Sequence, residues 1–231
     1  MELNGKKMVT KAKLSLNPTP AQEARLKAIM AEFVRLNPHP KPALNFNNAF
    51  ELLTAVMLSA QTTDAQVNKV TPALFKAAPT PQLMAQLTED EIRSYIDILG
   101  LGATKAKRLK TMAKQLVTKF SGQVPTKEQD LVSLPGVGVK TARVILNIIF
   151  KVPCVAVDTH VFRVTQRLEL CAGRTPEAVS DLLPQIIPPE YLLDAHHHLL
   201  LHGRHICTAR KPHCKECPVA SWCNSKDKNL V

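Results

Sequence analysis

The sequence predicts an all-α protein. Apolar residues recur at helical spacing along most of the chain, and no segment longer than a few residues alternates with the period of a strand. Glycine is also sparse, 8 in 231 residues, which leaves few positions for the hairpin turns of a sheet. Aromatics make up 4% against 45% hydrophobic residues, so the core must consist mainly of Leu, Val, Ala and Ile.

Residues 1–17 are polar and lysine-bearing and are expected to form a flexible basic arm. From Thr19, AQEARLKAIMAEFVRL places Leu26, Ile29, Met30, Phe33 and Val34 on one helical face. NPHPKPALN is a proline-rich break that no helix can cross. FNNAFELLTAVMLSAQ is apolar through its second half, as suits a helix buried on most sides. Thr63 or Asp64 caps the next helix, which ends near TPALF. Pro79, Pro81, Thr88 and the Gly100/Gly102 pair then punctuate two short helices. TKAKRLKTMAKQLVTKF is an amphipathic helix with a lysine-rich outer face. After SGQVP come a short helix, the turn LPGVGVK and a helix through ARVILNIIF. Further helices are expected over 159–169, 176–187 and 190–202. ILGLGATKAKRL echoes LPGVGVKTARVI in its Gly-x-Gly followed by an alanine, Ala106 and Ala142. Either a repeated helix-hairpin-helix turn or two unrelated interhelical turns would produce that echo.

Thirty Lys+Arg against nineteen Asp+Glu give a net charge of +11. Such an excess favours a polyanionic partner, nucleic acid above all. Lys6, Lys7, Lys11 and Lys13 supply only four of these charges, so the body is basic too. No apolar run approaches the ~18 residues that span a bilayer. The polar N-terminus also lacks the apolar stretch of a signal peptide. A soluble cytoplasmic protein is expected.

Three constellations carry chemistry. Cys207, Cys214, Cys217 and Cys223 form C-x6-C-x2-C-x5-C within seventeen residues. In a reducing compartment this spacing argues for a metal centre, and by itself it leaves zinc and [4Fe–4S] equally open. Arg210 and Lys211 lie on the first loop between these cysteines, where a clamped backbone could present them to phosphate. In LPGVGVKTA, Pro135, Gly136 and Gly138 suit a tight interhelical turn because glycine tolerates positive φ. Lys140 then stands where a helix begins; taken alone, it has an ordinary reading as a solvated lysine. In VAVDTHVFRV, Asp158 follows an extended apolar stretch and precedes a helical one, which makes it an N-cap whose charge can also face a cleft. Cys154 and Cys171 are isolated and are expected to be buried thiols.

LPGVGVKTA, VAVDTHVFRV, LSAQTTD and the cysteine tail, each moderately specific and highly so when all four occur in register over nearly the whole chain, resemble the endonuclease III family of helix-hairpin-helix DNA glycosylases. The resemblance implies two helical domains flanking a DNA-binding cleft. A six-helix barrel would span 42–152, with the helix-hairpin-helix at about 126–150. A cluster domain would combine 18–41 with 153–231. It implies a [4Fe–4S] cluster on the four cysteines, and a monomer associated with the nucleoid that removes oxidised pyrimidines from damaged double-stranded DNA and cleaves abasic sites. Lys140 would be the nucleophile and Asp158 its partner. The amides of Gly136, Val137 and Gly138 would grip a phosphate, Gln61 would fill the gap left by the extruded nucleotide, Leu101 would wedge the opposite strand and His160 would contact the backbone nearby. Lysine at 140 separates the chain from the related adenine glycosylases, and a non-catalytic DNA-binding module would give no reason for Lys140 and Asp158 to occur together. Family members often carry a bulky or polar residue where this chain has Gly102-Ala103, and a charged one at Val139. These departures bear on lesion preference and the firmness of the wedge.

Overall fold

The computed structural model describes residues 18–229, and the basic arm expected over 1–17 lies outside the described residues. Within them are eleven α-helices, two short 3-10 turns in the cysteine tail and no strand. The helices are α1 Pro20–Leu36, α2 Ala49–Leu58, α3 Asp64–Ala77, α4 Pro81–Gln86, α5 Glu89–Ile96, α6 Gly102–Phe120, α7 Glu128–Val132, α8 Val139–Ile148, α9 Thr159–Arg167, α10 Pro176–Ile186 and α11 Pro189–His205. No helix among the described residues is long and apolar enough to cross a membrane.

Most helices start where the sequence supplies a cap. Thr19, Asn48, Thr63, Thr80, Thr88, Asp158 and Thr175 each accept a hydrogen bond from a first-turn amide of the helix that follows. A cap of this kind satisfies an orphan donor and contributes about 1 kcal/mol. Because Thr63 caps α3, Asp64 is free to face another partner.

Two separate apolar cores result. The first gathers α2, on which Phe50 through Leu58 are all buried, with the inner faces of α3, α5, α6, α7 and α8. The second joins Leu26, Ile29, Met30 and Phe33 of α1 to α9, α10 and α11. Val34, expected on the same face of α1, is only half-buried. Helix α1 is tied to the far end of the chain by Arg25, which donates to the carbonyls of Leu168 at 3.0 Å, Glu169 at 3.2 Å and Trp222 at 2.8 Å.

The segment between α8 and α9 decides where the site lies. Ala156 packs in the first core, whereas Val155 and Val157 pack in the second. An extended chain sends successive side chains to opposite sides, so this run is stitched along the seam and delivers Asp158 to its mouth. Arg143 of α8 reinforces the seam, bonding Glu128 at 2.8 Å and Asp181 of α10 at 2.6 Å with its own side chain only 13% exposed.

The lysine-rich face of α6 has one departure. Lys105 is 6% exposed and points inward. The two Gly-x-Gly turns also differ. The left-handed residue is Leu101 (φ 63°) in the first and Gly136 (φ 82°) in the second. Helix α6 starts from Leu101, whereas α8 starts from Gly138. They are unrelated turns with a similar spelling.

Candidate functional site

Lys140 and Asp158 line one open cleft at the seam, which also contains Lys41, Ser59, Asp64, His196 and Arg204. Lys140 is exposed, at the second position of α8, a helix with no side-chain cap. Asp158 is the N-cap of α9, and its Oδ1 accepts from the Val161 amide at 2.8 Å. Its other oxygen is not committed to the cap, so the structural and chemical readings of this residue hold together.

His196 of α11 closes the back of the cleft. Its Nδ1 lies 2.8 Å from the Ala156 carbonyl, a bond that only Nδ1–H can make, which fixes the tautomer. Burial pushes its pKa down; the Ala156 bond and Asp158 oppose this, while Lys140 and Arg204 add to it. In the neutral ring Nε2 is then the acceptor atom. Arg204 pairs with Asp64 at 3.0 Å across the cleft wall. Sequence reasoning missed Lys41, Asp64, His196 and Arg204. The sequence marks Asp64 only as a possible cap, and His196 only lies within the helix expected over 190–202. No local spacing marks either as a cleft residue.

The hairpin between α7 and α8 is tighter than its spelling suggests. At Gly136 a Cβ would meet Met57 Cε at 3.0 Å and Arg108 Cδ at 3.2 Å, with φ in the left-handed region. Gly138 has φ −95° and nothing within 4 Å of a built Cβ, so the expectation of positive φ is corrected there. The Val137 amide donates to the Leu134 carbonyl at 3.1 Å and its side chain is buried. Val137 is therefore committed to the turn, and the amides open to an anion begin at Gly138, at the uncapped start of α8.

Gln61 (φ 56°) and Leu101 (φ 63°) are both exposed and both left-handed. That conformation costs a non-glycine residue about 1–2 kcal/mol. A small cavity lined by Ala60, Leu101, Lys105, Arg108 and Gly136 lies where these turns meet the hairpin. His160, half-buried on α9, has its Nδ1 3.2 Å from Arg163 Nη2.

Cys207, Cys214, Cys217 and Cys223 line a single cavity with Arg167 and His202. Arg167 pins the loop that leaves Cys207, donating to the Cys207 sulfur at 3.4 Å and to the carbonyls of Thr208 at 2.6 Å and Ala209 at 2.9 Å. The Asn229 amide donates to the Cys214 sulfur at 3.3 Å. Four soft donors around one cavity, with N–H groups aimed at the sulfurs, fit an iron–sulfur cluster. Arg210 and Lys211 are exposed on the pinned loop. Cys171 is buried, as expected, and Cys154 is half-buried.

Residues 54–189 match the HhH-GPD superfamily of base excision DNA repair proteins, and residues 207–223 match the iron–sulfur binding domain of endonuclease III. Endonuclease III of Treponema pallidum is 48% identical over 196 residues, covering 85% of this chain and 93% of that one. The Escherichia coli K12 endonuclease III is 43% identical over 206 residues, 89% of this chain and 98% of the other. This chain belongs to the endonuclease III family. The solved structure of a trapped endonuclease III–DNA covalent intermediate superposes with a TM-score of 0.81 at 38% identity, over 87% of this chain and 95% of that one. As a member of that family, the protein is a base-excision DNA glycosylase and AP lyase that binds DNA and carries a [4Fe–4S] cluster. The spacing of the cysteines had left zinc equally open.

Proposed function

We propose that the protein removes oxidised pyrimidines from duplex DNA through a covalent step at Lys140, assisted by Asp158. The observation that carries this reading is that an exposed amine from an element of the first core and a partly free carboxylate at the second share one cleft. The neutral Lys140 Nζ attacks C1′ of the damaged nucleotide as the base departs with the glycosidic electron pair. Asp158 stabilises the positive charge that develops on the sugar and takes the proton that the new C–N bond releases. Ring opening gives an imine, which acidifies the C2′ hydrogen; loss of that proton expels the 3′ phosphate by β-elimination. The reaction of the structural relative trapped as a covalent DNA intermediate supports such a linkage.

The damaged nucleotide must leave the stack first, which costs a few kcal/mol. In this reading Gln61 fills the gap and Leu101 parts the opposite strand. Gly138 and the first amides of α8 take a phosphate beside the hairpin that Gly136 shapes, and His160, Arg210 and Lys211 hold the backbone on either side. The cluster, when bound, cross-links the 207–223 loop. The same reading divides the chain into a barrel over 42–152 and a cluster domain of 18–41 plus 153–231, supported by the two separate cores. It makes the protein a monomer working on the nucleoid in the cytoplasm.

Borohydride reduction tests the nucleophile. Wild-type protein incubated with lesion-bearing duplex should give a covalent adduct; Lys140→Gln should give neither adduct nor strand cleavage. DNA affinity should fall less than about threefold, since one charge is lost among many phosphate contacts. A Lys140→Gln protein trapped at the wild-type rate would overturn the assignment.

A further inference from the structure

Lys105 is a buried cation without an acidic partner. Its Nζ donates to Thr62 Oγ1 at 2.7 Å, and no ion pair among the described residues includes it. Taking an ammonium out of water without a counter-charge is unfavourable, so the position calls for a reason other than stability. Two bonds supply one. The side chain holds Thr62, the neighbour of Gln61, in a turn closed by the Thr62 amide on the Ser59 carbonyl at 3.1 Å. The backbone amide of the same lysine donates to the Leu101 carbonyl at 2.9 Å. One residue therefore spans the two turns whose tips, Gln61 and Leu101, are exposed in the left-handed conformation.

We propose that Lys105, acting through Thr62, is a positioning residue that fixes the Gln61 turn and the Leu101 turn relative to one another, so that both tips enter the duplex at the same nucleotide step. This rests on the reading above that Gln61 fills the gap and Leu101 parts the opposite strand. The covalent chemistry at Lys140 lies elsewhere, in the cleft, so a fault in this brace affects extrusion of the nucleotide from paired DNA more than cleavage of DNA that has no partner strand. The left-handed residues make the brace necessary. Neither turn is held by its own local preference; the Leu101 turn is held by the start of α6, and the bond from Lys105 to Thr62, 43 residues away, ties the Gln61 turn to it.

The test uses the cluster-bound protein and compares single-turnover base release from a lesion duplex with cleavage of a single-stranded abasic oligonucleotide. Lys105→Met and Thr62→Val should each lower the ratio of duplex to single-strand rate by about tenfold, as expected for loss of one hydrogen bond to a charged group. Thr62→Ser keeps the hydroxyl and should restore the ratio. The double variant should be no worse than the poorer single, because both break the same bond. 2-Aminopurine opposite the lesion should brighten less on binding in Lys105→Met and Thr62→Val than in wild type, as the orphan base stays stacked. Equal losses on the two substrates, failure of Thr62→Ser to rescue, or additive losses in the double variant would overturn the proposal. Gln61→Ala and Leu101→Ala are run alongside. If they show no duplex-selective loss, the gap-filling reading fails and this proposal falls with it. If they show it while Lys105→Met and Thr62→Val do not, the positioning role alone is overturned. Should Lys105→Met lower the melting temperature, Thr62→Val, at a half-exposed position, decides.

Discussion

Gly136 and Gly138 stand two residues apart in one hairpin and are glycine for different reasons. Gly136 is favoured by the folded protein itself, because its φ of 82° strains any other residue and a Cβ would press on the side-chain tips of Met57 at 3.0 Å and Arg108 at 3.2 Å. Gly138 is not: its backbone is extended and the space beside it is open. On the proposed reading that space belongs to a DNA phosphate. Opposite outcomes are therefore expected. Gly136→Ala should destabilise by about 1–2 kcal/mol in urea unfolding, since it strains the backbone and crowds Met57 and Arg108. Gly138→Ser should hold or raise stability, because its hydroxyl can cap the uncapped α8. The same substitution should weaken duplex affinity at least several-fold by fluorescence anisotropy, through occupying the anion's place. A Gly138→Ser protein that binds DNA normally would remove the phosphate from this position. The sequence showed two turn glycines but not the division between them. Glycine permits positive φ without requiring it, and the difference lies in neighbours contributed by α2 and α6.

Helices were the most legible part of the chain because they are written locally. Apolar spacing, side-chain caps and proline breaks lie within a few residues of what they specify, and eight of the eleven helices begin at a capping side chain or a proline. Helix α6 shows where that legibility ends. Its start is set by Leu101, a leucine in the left-handed region that no propensity favours, and its inward lysine is defined by a threonine 43 residues away. The glycine that follows was expected to loosen this turn. Gly102 is instead the first helical residue, its φ is not positive, and a Cβ there would meet only atoms at 3.9 Å. Gly102→Ala should therefore fit without strain and stabilise the protein by about 0.5–1 kcal/mol, since alanine has less chain entropy to lose than glycine. If thermal unfolding moves downward instead, the start of α6 is more crowded in solution than this geometry allows.

At the scale of the molecule, the site exists because two cores meet along an extended seam, and only long-range packing brings Lys140, Asp158, His196 and Arg204 to one cleft. Sequence pattern named the first two through their motifs and could not reach the others. Helix α11 brings a liability with it. His196, His197 and His198 are consecutive and buried. Burial, with some repulsion from His196, His198 and Lys151, pushes the pKa of His197 down to about 4, against ~6.5 for an unperturbed imidazole. A histidine that resists protonation in the folded state binds more protons when unfolded. The stability this contributes is complete above the unfolded value and is lost as pH falls towards the folded one. His197 alone should thus lose on the order of 2 kcal/mol of stability between pH 7.5 and pH 5. Urea unfolding of wild type and His197→Gln across that interval isolates this contribution, because other acid effects, cluster lability included, act on both proteins. Glutamine does not titrate, so the variant should start less stable at pH 7.5 and lose clearly less on acidification, the two curves converging near pH 5. Parallel curves would mean that His197 titrates alike in the folded and unfolded protein, and that the fold tolerates a charge at this position.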